Sequence, residues 1–425
     1  MTPEITTIES LVKAGAIREI QDGNHGANHP KSADYVADGV PFIMGSNILD
    51  GRVDLVGCKR ISLEQALCLR VGFARPGDVL LTHKGTMGLT AIAPHVEAPF
   101  LMLTPQVTYY RVDPARLDRH YLRYAFDDPW FQHRLLAVSD QSTRPFVSIS
   151  DQRRLSIRLL PWDQQKRISW ALRSIDELIE LILRRVGVLE SLAEHLFVDH
   201  LNRNGSLLSL LGEVADVNPE TLVPEWGRVY KYVDIASVSP GRIEQGEPIP
   251  AESLPGRARR GVRHGDIIWS CVRPNRRSFA AIVDPPDDVV VSTGFAVLRP
   301  RVVPPSVLYM ALTRDAFVAF LEGRARGAAY PAVTAQDFVE ATLTLPPLET
   351  CVSLEATLTP LLSLKECLLR RSANLRKLRD LLLPKLLSGE IDASRLPLPP
   401  EEPEVEAPPP LPDPPRRGRR RKESA

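Results

Sequence analysis

Cysteine is scarce in this chain, and what there is does not pair. Cys58, Cys68, Cys271, Cys351 and Cys367 form no CxxC motif. Without that pairing they read as reduced thiols in a cytoplasmic protein. No apolar run reaches the length of a membrane span. Met1 to Ser10 is acidic and polar, where a signal peptide would be basic and then apolar. An excess of one charge is also lacking: 53 Lys and Arg against 52 Asp and Glu leave a net charge of +1. The chain as a whole therefore has no attraction for nucleic acid, and any such attraction has to be local.

Catalytic and metal signatures are missing too. There is no P-loop and no HExxH. His195 and His200 are not spaced to share one helical face. Asp284-Pro285-Pro286 runs into Asp287, and Asp413-Pro414-Pro415 into Arg416. Neither completes the Asn/Asp-Pro-Pro-aromatic signature of an amino-methyltransferase. Asp22, His25 and His29 can be drawn as metal ligands, but a surface loop that uses Asn and His for hydrogen bonds is the simpler reading.

What is present is a soluble composition, 44% hydrophobic and 25% charged over 425 residues, enough for two to four domains. It also contains a repeat. From about Asp163 to Leu201, apolar residues alternate at three and four positions: Ile168, Leu172, Ile175, Ile179, Ile182, Val186, Leu189, Ala193, Leu196. That is the seam of a coiled-coil helix. From about Glu349 to Ser388, Leu354, Leu361, Leu368, Leu375 and Leu382 fall at every seventh position. Each lies 186 residues after Ile168, Ile175, Ile182, Leu189 and Leu196 respectively (354 less 168, and so on), so the two seams share one register. A buried helical hairpin is the plain alternative to an internal repeat, but shared register over five heptads favours the repeat.

The segments before the two helices repeat as well. Gly51-Arg52-Val53 matches Gly241-Arg242-Ile243, and Gly77-Asp78-Val79-Leu80 matches Gly265-Asp266-Ile267-Ile268. Leu122 and Phe131 match Leu308 and Phe317, and Pro145-Phe146-Val147-Ser148 matches Pro331-Ala332-Val333-Thr334. Within the first copy, Val40–Ile48, Asp78–Thr82 and Gln106–Val112 read as strands, and Tyr121–Leu136 as a helix despite Pro129. Pro161 stops the preceding strand and Asp163 is a plausible N-cap of the long helix, which fades at Asn202-Arg203-Asn204-Gly205. The domain order predicted is 1–158 globular, 159–204 long helix, 205–345 globular, 346–392 long helix, and 393–425 a disordered Pro/Arg-rich tail. The second helix carries Pro360, where it either restarts with Thr359 as N-cap or kinks. It also places Lys365, Ser372 and Arg379 at seam positions that are apolar in the first, and should be the looser of the two.

Local charge gathers in the second copy. Residues 256–277 hold Arg257, Arg259, Arg260, Arg263, Arg273, Arg276 and Arg277 against one acid, Asp266. Arginine forks onto guanine or phosphate; a solvated basic face is the alternative. The equivalent loop of the first copy is His83-Lys84-Gly85-Thr86-Met87-Gly88, whose glycines let backbone come close to a partner. A second matched loop holds Ser142, Thr143 and Arg144 in one copy and Arg324, Arg326 and Tyr330 in the other. The basic cluster Arg416–Lys422 of the tail reads as a solvated tail or as non-specific DNA attraction.

Two divergent units, each followed by a similar long helix, resemble the DNA-specificity subunit of type I restriction–modification systems. The Gly-Asp-apolar strands carry the resemblance, as do the helix entries Leu160-Pro161-Trp162-Asp163-Gln164-Gln165 and Leu345-Pro346-Pro347-Leu348-Glu349. So do the helix end Leu381–Ile391 and the loop Ile20-Gln21-Asp22-Gly23-Asn24-His25-Gly26. The resemblance covers roughly residues 5–392. Departures are Pro360, Thr350-Cys351 in place of the usual acid-Gln pair, and the tail.

The resemblance implies an α+β chain: two similar mixed α/β target-recognition domains joined by two long antiparallel coiled-coil helices, related by a pseudo-two-fold. It implies a non-catalytic subunit without a cofactor or metal. The partners implied are double-stranded DNA read as a bipartite target, two methyltransferase subunits and restriction subunits. DNA contacts fall to Asn24, His25, Lys31, Lys84, Thr86 and Arg144 in the first unit. In the second they fall to Arg257, Arg259, Arg260, Arg273, Asn275, Arg276, Arg277, Arg326 and Tyr330. A coiled-coil adaptor that binds proteins, or an enzyme acting on DNA through unrecognised motifs, are the alternatives.

Overall fold

The computed structural model describes residues 2–26, 29–139, 145–244, 246–327 and 329–400. The chain divides into two compact units, 1–178 with 375–425 and 179–374. The expected tail and Ser142, Thr143 and Arg144 lie wholly or largely outside the described residues.

In the first unit the strand Glu4–Thr7 pairs antiparallel with Ser156–Leu159. A four-stranded antiparallel sheet follows in the order Thr90–Ile92, Val79–Thr82, Val107–Val112, Ile17–Asp22. A second sheet runs Tyr35–Val36, Lys59–Ile61, Val40–Ile43, Leu101–Leu103, Phe73–Ala74, and its one parallel pair joins Val40–Ile43 to Leu101–Leu103. The second unit repeats this plan. Leu207–Leu210 pairs with Thr342–Leu345. One sheet runs Phe279–Ala281, Ile267–Ser270, Phe295–Pro300, Ala215–Val217. The other runs Ile249–Pro250, Val229–Val233, Val289–Ser292, Ala258–Arg260, again with one parallel pair, Val229–Val233 to Val289–Ser292.

The Gly-Asp-apolar strands are buried at every position, with both their faces covered. Val79 and Leu81 join the core built on the helices, while Leu80 joins Ile43, Leu103 and Tyr109 between the two sheets. The motif itself has a physical reason. Asp78 accepts the amide of Arg75 at 2.7 Å and takes Arg111 of the central strand in a two-pronged bond at 3.0 and 2.7 Å. Asp266 does the same with the amide of Arg263 at 2.8 Å and with Arg299 at 2.8 and 2.7 Å. The Pro-x-Val-Ser/Thr match is a helix start: Ser148 caps Ile149–Arg154 and Thr334 caps Ala335–Val339, beside buried Val147 and Val333.

Several sequence expectations shift. The strand from Val40 stops at Ile43 and passes into a 3₁₀ turn, Gly45–Asn47. The helix expected across Pro129 is two, Arg119–Asp127 and Pro129–Ala137, because proline takes the first position of a new helix that Asp128 caps. The first long helix, Trp162–Asn204, starts one residue before Asp163, with Gln165 donating to the Pro161 carbonyl at 3.0 Å. It ends against Gly205, whose φ of 81° suits the residue after a helix. The second long helix, Leu348–Leu387, runs unbroken through Pro360, so there is no restart at Thr359.

Each unit holds an antiparallel pair of long-helix segments. In the first unit Ile168 and Leu172 pack with Leu383, Leu386 and Leu387 in one core with Tyr121, Leu122 and Phe126. In the second, Ala193 and Phe197 pack with Cys351, Leu354 and Leu358. Each such aliphatic side chain contributes about 1.5–3 kcal/mol by leaving water. Of the seam residues expected from the sequence, Ile168, Ile182 and Leu354 are buried. Ile175, Leu189, Leu196, Leu361, Leu368, Leu375 and Leu382 are half-buried. In the second helix the more deeply buried column is the other one: Cys351, Leu358, Lys365, Ser372 and Leu386. Its polar members find partners. Lys365 Nζ lies 2.9 Å from Glu190 and donates to the Tyr309 hydroxyl at 3.0 Å, and Arg379 donates to Asp176 at 2.8 Å. The Ser372 hydroxyl has no partner.

Candidate nucleic-acid interface

In the first unit the loop after Val79–Thr82 turns back with Gly88 donating to the Thr82 carbonyl at 2.8 Å and Leu89 to the Thr82 hydroxyl at 2.9 Å. A side chain at Gly88 would run into Gln132, with Oε1 2.1 Å from an added Cβ, whereas at Gly85 the nearest atom would be 3.8 Å away. The loop tip, with Lys84, Gly85 and Thr86, is exposed. Its flank bridges to the segment after the second matched loop: Lys84 faces Phe146, Val147 donates to the His83 carbonyl at 3.0 Å, and Gly85 donates to Pro145 at 3.3 Å. Half-exposed Phe146 therefore shares the face with Lys84. His25 and Lys31 are exposed, but Asn24 is buried, with its Nδ2 unpartnered. His83 is buried as well, held by its Nδ1 to the Val147 carbonyl at 2.9 Å.

The second unit brings the corresponding loops together. Val272 and Arg326 both bridge to Ala332, and Val333 donates to the Cys271 carbonyl at 2.9 Å. Burial pushes the Cys271 thiol up to about 11, only partly offset by nearby Arg260, so it stays protonated and unreactive at neutral pH. Between Cys271 and Phe279 the chain makes a 3₁₀ turn, Pro274–Arg276, flanked by Arg273 (φ 50°) and Arg277 (φ 53°). Left-handed backbone is unfavourable for arginine. Arg273 compensates by donating its amide to Pro331 at 2.7 Å and a guanidinium nitrogen to Ala329 at 3.0 Å, with its guanidinium 4.5 Å over the Tyr330 ring. Arg277 pairs with Asp315.

The basic run is thus partly neutralised. Arg263 lies 2.9 Å from Glu220, and the neighbouring Arg324 lies 3.1 Å from Glu340. Arg257, Arg259 and Arg260 sit at or on the edge strand Ala258–Arg260. Arg257 is exposed and donates to the Tyr232 hydroxyl at 2.9 Å. Arg259 and Arg260 are half-buried, Arg259 donating to its neighbour's carbonyl at 3.1 Å. Asn275 and Arg276 are exposed. Arg326 is exposed 3.8 Å from Asp337, and Tyr330 is 70% exposed. The structure therefore gathers Arg273, Asn275, Arg276, Arg277, Arg326 and Tyr330 on one loop pair. Phe146 and the left-handed pair Arg273 and Arg277 were not singled out from the sequence; the only cue was a proline after Arg273, which does not by itself imply left-handed backbone.

Among the described residues no three His, Cys, Asp or Glu side chains come together as a metal site, so Asp22, His25 and His29 form none. No described helix is long and apolar enough to cross a membrane.

No family model matches the chain. A curated relative, the Type I restriction enzyme HindI specificity subunit of Haemophilus influenzae, is 28% identical over 114 residues, 26% of this chain and 25% of the relative. The chain thus matches about a quarter of that relative's length. Among solved structures, the S subunit of a type I restriction–modification system from M. genitalium is 16% identical with a TM-score of 0.55, over 91% of this chain and 99% of that one. The HsdS subunit of Thermoanaerobacter tengcongensis is 18% identical with a TM-score of 0.36, over 91% and 97%. In sequence over the matched quarter, and in fold over nine-tenths of its length, the chain is similar to the specificity subunits of type I restriction–modification systems.

Proposed function

We propose that this chain is the sequence-reading subunit of a type I restriction–modification complex. Residues 1–158 and 205–345 each read one half of a bipartite duplex target. Residues 159–204 and 346–392 form the helical scaffold on which methyltransferase subunits, and with them restriction subunits, assemble. The chain itself neither cuts nor methylates. The observation that carries this reading is the repeat: one sheet topology occurs twice, with the same Asp-Arg brace, while the exposed loops beside it differ. A constant frame with variable loops is how a scaffold supports recognition of two different sequences. Phosphate contacts from cations such as Lys31, Lys84, Arg257 and Arg326 would hold register, and base-edge contacts would supply sequence preference.

Expression of the gene with its neighbouring methyltransferase gene in a host lacking DNA methylation, followed by genome-wide mapping of methylated bases, tests the proposal. The expected result is methylation confined to one bipartite sequence, and none from either gene alone. Methylation by this chain unaided, or the same methylated sequence without it, overturns the reading.

A further inference from the structure

We propose that Asn275 and Arg276 read base edges in the major groove, with Arg276 on a guanine, and that Arg273 and Arg277 hold them in place without reading. This rests on the DNA-reading assignment and deepens it. The four residues are consecutive but for Pro274, and in sequence they are indistinguishable as readers. The structure separates them. Arg273 is spent inside the protein, on the Ala329 carbonyl and the Tyr330 ring. Arg277 is spent on Asp315. Their left-handed backbones bracket a 3₁₀ turn whose Pro274 is buried, and the Arg276 amide closes onto the Arg273 carbonyl at 2.9 Å. A turn fixed by two anchored arginines and a proline has little freedom left to lose on binding. At its crest Asn275 and Arg276 are exposed, with no hydrogen bond or ion pair to their side chains among the described residues.

Strain concentrated at one exposed loop points to use rather than packing. Five non-glycine residues have positive φ among the described residues, and two of them flank this crest. A fork of fixed donors fits guanine O6 and N7, and a carboxamide fits adenine N6 and N7 or a neighbouring acceptor. Two adjacent side chains on one turn would read adjacent base pairs. The corresponding loop tip of the first unit offers Lys84, Gly85 and Thr86 instead. Of these two loop tips, the one that carries a fork is the second unit's.

The test uses the full-length chain and selection from a pool of duplexes randomised over both half-sites, at two salt concentrations. For Arg276→Ala the expected result is a fall of about ten- to a hundredfold in preference for guanine at one position. The other half-site should keep its preference, the salt dependence its slope, and the chain its melting temperature. Arg276→Lys should lose most of the same preference because it keeps the charge and loses the fork. Arg277→Gly, which keeps the left-handed turn but loses the Asp315 anchor, should blur preference at the same position to a smaller degree. A uniform loss on all sequences with a shallower salt slope would make Arg276 a phosphate contact and overturn the inference while leaving the DNA-reading assignment intact. Unchanged preference in Arg276→Ala would overturn it too. An unaltered chain that selects no sequence at all would sink both.

Discussion

The two units solve one packing problem with exchanged chemistry. In each, a short helix of the globular part lies against the long-helix pair: Arg119–Asp127 in the first unit and Pro305–Leu312, 186 positions on (305 less 119), in the second. In the first, Asp118 caps the short helix, accepting from the Tyr121 amide at 2.8 Å and from Ser169 of the long helix at 2.5 Å. In the second, the capping position is Pro304, which has no side-chain acceptor. The carboxylate comes from the long helix instead, as Glu355, which accepts from the amides of Ser306 at 3.1 Å and Val307 at 3.3 Å. Glu355 is the counterpart of Ser169, so the acid has moved across the junction.

One turn further, the same exchange recurs. Arg123 lies 2.9 Å from Asp176, which also takes the Tyr124 hydroxyl at 2.6 Å and Arg379 at 2.8 Å. Its counterpart, Tyr309, instead accepts from Lys365, which pairs with Glu190. The hairpin glycines reach this same junction. Gly51 (φ 78°) would put a Cβ 2.2 Å from Arg123, and Gly241 (φ 69°) one 2.6 Å from Lys365. Glycine is needed at both for the left-handed turn and for the space. The lesson is that the requirement preserved is a satisfied helix end and a paired buried cation, not the residues that supply them.

Asp176→Ala leaves Arg123 and Arg379 facing each other without their shared anion, and should cost about 3 kcal/mol of unfolding free energy, read by denaturant titration. A cost under about 1 kcal/mol would mean that the arginines repartition to solvent and the cluster is ornamental.

Next is a pH effect confined to the first unit. Burial, beside Arg119, Arg173 and Arg123 and only partly offset by Asp118, holds His120 down to about 4. The unfolded chain takes up a proton near 6.5 and the folded one does not until about 4. Stability contributed by the neutral ring is thus present above 6.5 and lost as pH falls between those values, on the order of 2 kcal/mol once solvent screening of the half-buried ring is discounted. His120→Gln should flatten that slope in thermal melts at pH 4.5–7. The corresponding residue of the second unit, Ser306, does not titrate.

The smallest effect sharpens the cap exchange. Glu355→Ala should cost about 1 kcal/mol, as loss of a helix cap does, and increase hydrogen exchange at Ser306 and Val307 before other amides of that helix. Protection unchanged at those two amides would show that water serves as well.

The heptads and the Gly-Asp strands were legible because each follows from a local rule of spacing; the Pro-x-Val-Ser/Thr match was legible as a repeat, but not as a pair of capped helix starts. The buried column of the second helix was not. The five leucines at every seventh position form the plain pattern, whereas the deeper column carries Lys365 and Ser372, which only their surroundings can place. In the loops, seven arginines looked alike. That Arg263 is engaged by Glu220 and Arg277 by Asp315, at positions distant in sequence, could not be seen from composition. Nor could the move of a carboxylate from Asp118 to Glu355, since it requires knowing that two residues share a junction.

The exchanged junctions make the two halves non-interchangeable parts. Were the segment around Arg119–Asp127 transplanted onto the second long-helix pair, Asp118 would arrive where Glu355 already stands, and two anions would contend for one set of amides. Arg123 would arrive where Tyr309 now receives Lys365, setting cation against cation. A chimera built by exchanging the globular parts would therefore have to carry Ser169 and Asp176 along as a matched set, or fail at the junction between globular part and long helix.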